Sequence, residues 1–264
     1  MKLLINPKYS RLEGFVRQLT QPAFFNRNGT TLHDGRNVIR LFEADGVKLV
    51  VKSYARLSLL NRLLYGTLRK SKAVRAYLHA VKLRNLGIDT PEEVAAVEVR
   101  RRGLLRQCLF VSLYTDYESV GEVAKRFPQH PEAEPILDAL ARFLSKVHWA
   151  GVQHKDLNIG NILYKREAGE YRFQLIDTNR MTFHTSLSMR QRLRNLRRLS
   201  CDTPAYLYIL QRYAETIHAE DIDAVQLEGV VRRLFFERRQ RTKRNMKRIR
   251  NAIAEERRRH ALTK

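Results

Sequence analysis

Cysteine is scarce in this 264-residue sequence: Cys108 and Cys201 are its only two, far apart. That excludes a disulfide framework or a cysteine-rich metal site and fits a reducing compartment. No apolar run approaches the ~18 residues of a membrane span. The opening MKLLINPKYSR turns polar too early for the apolar stretch of a signal peptide. With 12 glycines and 7 prolines, collagen-like or low-complexity architecture is excluded as well. Acidic residues are also few: 27 Asp and Glu face 50 Lys and Arg, a net charge of +23. What remains is a globular composition, 44% hydrophobic and 29% charged, long enough for one large domain or two lobes sharing a core. Its excess charge calls for a polyanionic partner: nucleic acid, a phosphorylated metabolite or an anionic lipid surface.

The positive charge is clustered. Residues 56–86 contain eight Lys or Arg and no acid, and MRQRLRNLRRL covers Met189–Leu199. Residues 231–264 hold 14 Lys or Arg against three Glu. This last stretch is compatible with a helix that has little apolar face. It is either a solvated helix that aids solubility or a docking surface for phosphates and anionic headgroups.

Short apolar runs at Val38–Phe42 and Leu49–Tyr54, joined through Asp45-Gly46, predict a hairpin. Before them NGTTLHDGRN reads as a polar loop carrying Gly29 and Gly35. Lys72–Leu86 reads as a helix ended by Gly87, with Leu109–Leu113 a buried strand beyond it. After a boundary near Thr115, Ile136–Val147 forms an amphipathic helix. A loop, GVQHKDLNIGN, then leads into short strands at Ile162–Tyr164 and Phe173–Ile176, and the rest is helix-compatible. The expected class is α+β: a strand-rich lobe, residues 1–114, then a mainly helical lobe, residues 115–264.

Several features stand in the order that phosphoryl transfer requires. Lys52 lies inside the apolar strand VVKSY, where an isolated ammonium is costly and nucleotide phosphates can pair with it. An edge-strand lysine turned to solvent is the plainer alternative. HKDLNIGN supplies His154, Asp156 and Asn161 with H-x-D-x-x-x-x-N spacing, the strongest short signal in the chain. There Asp156 can orient and deprotonate an attacking hydroxyl, and Asn161 can offer an oxygen to Mg²⁺. Asp177 ends the apolar run FQLI, suitably for a cation that bridges phosphates. The turn with Gly29 and Gly35 can close over phosphates through its N–H groups, but it lacks the usual glycine-rich patterns.

On DGRN (Asp34–Asn37), VVKSY, LGIDTPE (Leu86–Glu92), HKDLNIGNIL (His154–Leu163) and LIDTNRM (Leu175–Met181), the chain resembles the protein-kinase-like superfamily. Within it the resemblance is to the lipopolysaccharide core kinases of Gram-negative bacteria, the Kdo/WaaP-type family. The DTNR element stands where protein kinases typically have Asp-Phe-Gly.

The resemblance implies a two-lobed kinase fold using ATP and Mg²⁺. Lys52 would bind phosphates, Asp156 would be the base, Lys52 and His154 would complete the catalytic set, and Asn161 and Asp177 would hold the metal. The backbone of Ser112, Leu113 and Tyr114 would meet adenine. It further implies an inner-core sugar acceptor, Kdo before heptose, on a lipopolysaccharide precursor or Kdo-lipid A-like glycolipid. The enzyme would be cytoplasmic and peripheral, on the anionic cytoplasmic face of the inner membrane. One departure is that Ser71–Leu86 has no acid to pair with Lys52, and Glu98 is a low-ranking substitute. The alternatives are a protein or small-molecule kinase of this fold, or a nucleic-acid-binding protein that keeps it. Nucleic acid is disfavoured because, beyond Phe235 and Phe236, no aromatic residues interleave the charges of the tail.

Overall fold

A computed structural model describes residues 1–54 and 70–262. The part of the basic run at 56–86 that precedes Lys70 therefore lies outside the described residues. Strand β4 (Val47–Ser53) follows from strict alternation: Leu49, Val51 and Ser53 are buried on one face, and Val50 and Lys52 lie on the other. It pairs with β3 (Val38–Ala44) through a two-residue turn, with Ala44 opposite Val47. Asp45 and Gly46 there have φ of 49° and 71°, the double left-handed geometry that matches strand twist.

NGTTLHDGRN departs from the expected loop. Thr30–Asp34 forms β2, an exposed edge strand paired with β3. Its polar, two-sided exposure left no alternation to read. Strands β1 (Lys2–Ile5) and β5 (Glu93–Arg101) also join the sheet, and the expected Leu109–Leu113 strand is the end of a longer β6 (Leu104–Leu113). The order is β1-β5-β6-β4-β3-β2, antiparallel throughout, so β4 is interior.

One sheet face packs Leu49, Val51, Leu109 and Val111 against α1 (Glu13–Gln18) and α2 (Pro22–Arg27). Burying each such side chain contributes about 1.5–3 kcal/mol. The other face meets α3 (Lys72–Asn85) through Ala73 and Val74, which pack with Tyr54 and Cys108. Ser71 caps α3 by accepting the Val74 N–H at 3.2 Å. At its far end Gly87 (φ 68°) donates to Arg84 and Ile88 donates to Leu83, a left-handed cap that satisfies two end carbonyls.

The second part is mainly helical. After β7 (Glu118–Ser119) and α4 (Val120–Lys125) comes α5 (Ala133–Trp149), whose Leu137, Leu140 and Leu144 form the centre of its core. Three elements close around it: α6 (Met189–Leu196), α7 (Thr203–Thr216) and the start of α8 (Ile222–Leu262). Two small antiparallel pairs hold the loops between: β8 (Val152–His154) with β11 (Met181–Phe183), and β9 (Ile162–Glu167) with β10 (Glu170–Leu175). The architecture is α+β and two-lobed, β-rich first and helical second. Helix α8 has 41 residues, about 60 Å at 1.5 Å per residue. Every residue from 241 to 256 on it is exposed.

Candidate active site

Strand β4 is interior and the sheet face that carries Lys52 is covered, so Lys52 is not an edge-strand lysine turned to bulk solvent. It lies between Ile39 of β3 and Phe110 of β6, on the sheet face opposite α1 and α2. That face forms the roof of a cavity of about 370 Å³, and Asn161, Leu163, Ile176 and Asp177 lie on its other side. Ser112, Leu113 and Tyr114 line the same cavity at the end of β6. The Tyr114 N–H is already committed to the Lys48 carbonyl at 2.9 Å. A larger groove of about 580 Å³ runs between α5 and the β9–β10 hairpin, and no predicted site residue lines it.

The missing acidic partner of Lys52 is Asp177. Lys52 Nζ lies 2.8 Å from Asp177 Oδ1, with the side chains 15% and 23% exposed. Glu98 is not the substitute: it is buried, 2.9 Å from Arg100, and Ser71 and Arg100 hold its carboxyl below the ordinary value against the cost of burial. Lys52 Nζ also lies 5.6 Å from the centre of the buried Tyr54 ring, within cation–π range. Burial raises the Tyr54 phenol well above its ordinary value, and the nearby Asp177 carboxylate adds to the shift.

Asp177 is aimed by its backbone and its neighbours. It sits in the left-handed region (φ 57°, ψ 46°) at the start of a 3₁₀ turn, Thr178–Arg180. Thr178 Oγ1 donates to the Ala76 carbonyl at 3.0 Å, and its own carbonyl lies 2.7 Å from His79 Nδ1. These bonds fix the turn to α3 at the position where an acidic partner is absent. Asn179 Nδ2 also donates to Asp177 Oδ1.

The loop of Asp156 is tied to the same segment. His154 is fully buried; its Nε2 donates to the Ile176 carbonyl at 2.9 Å and its Nδ1 accepts the Asp156 N–H at 3.1 Å. Burial lowers its pKa and keeps the ring neutral, as that donor–acceptor pattern requires. His154 therefore holds the loop from beneath, while the Asp156 carboxylate, 40% exposed, faces outward 3.3 Å from Arg180 Nη1. Asn161 Nδ2 donates to the Asp156 carbonyl at 2.9 Å, and the Ile176 N–H donates to the Asn161 carbonyl at 3.0 Å. With its amide nitrogen anchored, Asn161 has its oxygen left to face a cation.

Asn161 and Asp177 are hard oxygen donors of the kind Mg²⁺ takes in ones and twos, completed by phosphates and water. Among the described residues no three His, Cys, Asp or Glu side chains gather into a self-sufficient metal site.

Gly29 and Gly35 do not line the cavity. Gly29 (φ 74°) lies against the Leu41 carbonyl and the Phe42 ring, so a side chain there would collide with β3. Gly35 is covered by its neighbour His33. Gly29 thus serves the packing of the β2–β3 hairpin.

Reading the sequence alone missed Asn195, whose Nδ2 donates to the His154 carbonyl at 2.8 Å. Its Oδ1 accepts from His148 Nε2 at 3.3 Å, and His148 Nδ1 in turn accepts from the Tyr213 hydroxyl at 2.8 Å. This buried polar chain supports the loop, but in sequence Asn195 is one polar residue within a basic run.

Comparison with known proteins follows the same residues. The profile of the lipopolysaccharide kinase (Kdo/WaaP) family matches residues 27–249, so it reaches well into the basic helix, beyond the motifs that end at Met181. A 3-deoxy-D-manno-octulosonic acid kinase of Vibrio cholerae is 25% identical over 153 residues, 55% of this chain and 64% of that protein. One from Vibrio parahaemolyticus is 24% identical over 177 residues, covering 60% and 73%. The chain thus matches less than two thirds of the length of the first of these relatives. The solved structure of WaaP in complex with acyl carrier protein superposes with a TM-score of 0.60 at 18% identity. It covers 92% of this chain and 99% of that one, which shows a common fold.

Proposed function

The chain belongs to the lipopolysaccharide kinase (Kdo/WaaP) family, and we propose that it transfers the γ-phosphate of ATP to a hydroxyl of Kdo on a lipid-linked acceptor. The observation that carries this reading is the Lys52–Asp177 pair in a cavity walled on one side by Asn161, whose side chain is bonded to the Asp156 loop. In this reading Lys52 holds the nucleotide phosphates, and Ser112–Tyr114 flank the base. Asn161 and Asp177 hold Mg²⁺, which when bound would neutralise charge on the phosphates. Asp156 orients the acceptor hydroxyl and accepts its proton, and His154 acts only by fixing the loop that carries Asp156. The nucleotide-binding lobe comprises residues 1–114 and the acceptor lobe residues 115–264.

The substrate assignment draws support from the two Vibrio relatives, both named as kinases of 3-deoxy-D-manno-octulosonic acid. No helix of the described residues is long and apolar enough to cross a membrane. We place the enzyme peripherally at the anionic cytoplasmic face of the inner membrane, held there by α8. Its exposed stretch combines dense Lys and Arg with Met246, Ile249 and Ile253.

The test is incubation with Mg-ATP and a Kdo-bearing lipid A precursor, followed by mass spectrometry. A gain of one phosphate localised to a Kdo residue is expected. Phosphate appearing only in added protein or in free small sugars other than Kdo would refute the substrate.

A further inference from the structure

We propose, resting on the kinase reading above, that Arg180 and Arg198 form a clamp for the carboxylate of the acceptor sugar, placed to present its hydroxyl to Asp156. Arg180 approaches Asp156 Oδ2 through a single long contact of 3.3 Å and is 53% exposed, so most of its donors remain free for a ligand. The chain segment of Arg198 is brought to the same loop. The segment that carries it is pinned on both flanks, by Asn195 to the His154 carbonyl at 2.8 Å and by Ser200 Oγ to Asn158 Oδ1 at 2.6 Å.

The Arg198 guanidinium is half-buried over the Phe236 ring, 5.1 Å from its centre, and among the described residues it forms no ion pair. Burial lowers its pKa, with Arg180 acting in the same direction and Asp156 against it. Arg180 touches the Asp156 carboxylate and the segment of Arg198 is bonded to the same loop, so positive charge gathers beside the group read as the base. A partly desolvated cation of this kind is costly without an anion. A carboxylate suits it, because guanidinium and carboxylate match in a two-pronged, charge-assisted hydrogen bond.

The nucleotide does not supply this anion, since neither arginine lines the cavity that holds Lys52 and Asp177. A groove of about 590 Å³ leads from Arg198 along α8, with Ser200, Phe236 and Arg241 on its walls, and gives the remainder of an anionic glycolipid a path away from the site.

The test is equilibrium binding to the full chain, without nucleotide, of Kdo, its methyl ester and inorganic phosphate. Kdo should bind at least about tenfold more tightly than the ester. Arg198→Met, which keeps an apolar stem over Phe236, should bring Kdo down to the affinity of the ester. In turnover the same variant should raise KM for the acceptor and leave KM for Mg-ATP unchanged. Equal binding of acid and ester, including no binding of either, overturns the clamp whether or not phosphate is transferred. So does phosphate binding as tightly as Kdo and displacing it, since that describes a phosphate site. The wild-type comparison needs no variant to fold. Conversely, Arg198-dependent preference for the acid in a protein that phosphorylates no sugar would retain the clamp and refute the kinase reading.

Discussion

Lys52 Nζ sits 2.8 Å from Asp177 Oδ1, so the lysine of an interior strand is neutralised by a carboxylate from the turn that follows β10. Protein kinases place a glutamate on the helix after this lysine, but here α3 presents Ala76 to the cavity instead. Its carbonyl accepts a bond from Thr178, the residue next to Asp177. The carboxylate read as a metal ligand thus doubles as the partner of the lysine read as phosphate-binding.

Replacing Asp177 should have two effects. In Asp177→Ala, Mg-ATP should bind more weakly by calorimetry, and the unpaired Lys52 should lower stability by about 1–3 kcal/mol in urea unfolding. Unchanged nucleotide affinity would remove Asp177 from the metal role.

Asp156→Asn should keep the fold, because the loop is held by the backbone and by His154 rather than by the carboxylate. Turnover should fall at least ~10²-fold, the low end for a positioned proton acceptor, with Mg-ATP binding intact. Activity near wild type in a phosphate-transfer assay would exclude Asp156 as the base.

Gly151 lies between α5 and β8 with φ 72°, and an added Cβ would overlap the His184 carbonyl. The same two residues are joined by a hydrogen bond from the His184 N–H to the Gly151 carbonyl at 2.9 Å. Gly151→Ala should therefore cost more than about 2 kcal/mol, seen as a lower Tm.

Acid should weaken the fold through its buried histidines. Burial pushes His148 down from 6.5 to about 4, and His154 and His79 shift in the same direction. The unfolded chain binds a proton near pH 6.5 that the folded chain refuses until about 4, so the contribution is complete above 6.5 and is lost as pH falls toward 4. For His148 alone the loss is about 2 kcal/mol by pH 5. Urea unfolding of wild type and His148→Gln at pH 7 and 5 measures it, and equal pH dependence would exonerate His148.

Helix α8 should bind anionic vesicles. Changing Lys243, Lys247 and Arg250 together to Gln, all on its exposed stretch, should weaken binding to phosphatidylglycerol-containing vesicles at least about tenfold at low salt. Equal binding of the two proteins would reduce the charge to a solubility role.

Much of this was legible locally. Alternation in Val47–Ser53, the Asp45-Gly46 turn, the Ser71 and Gly87 ends of α3, and the H-x-D-x-x-x-x-N spacing each depend on neighbours within a few residues. The edge strand β2 escaped because a strand exposed on both faces shows no alternation. Gly29 and Gly35 looked like phosphate-loop glycines because a glycine in a polar turn reads alike whether it makes room for a ligand or for a neighbouring strand.

The sequence by itself determined the family motifs, through residue types at fixed short spacings, and the basic tail, through composition. Only the tertiary structure decided how those groups are used. It paired Lys52 with Asp177, buried His154 under the loop it belongs to, and brought Arg180 and the segment of Arg198 to the loop of Asp156. The physical reason is that charge pairing and desolvation depend on distance in space, and these partners are separated by tens of residues of chain.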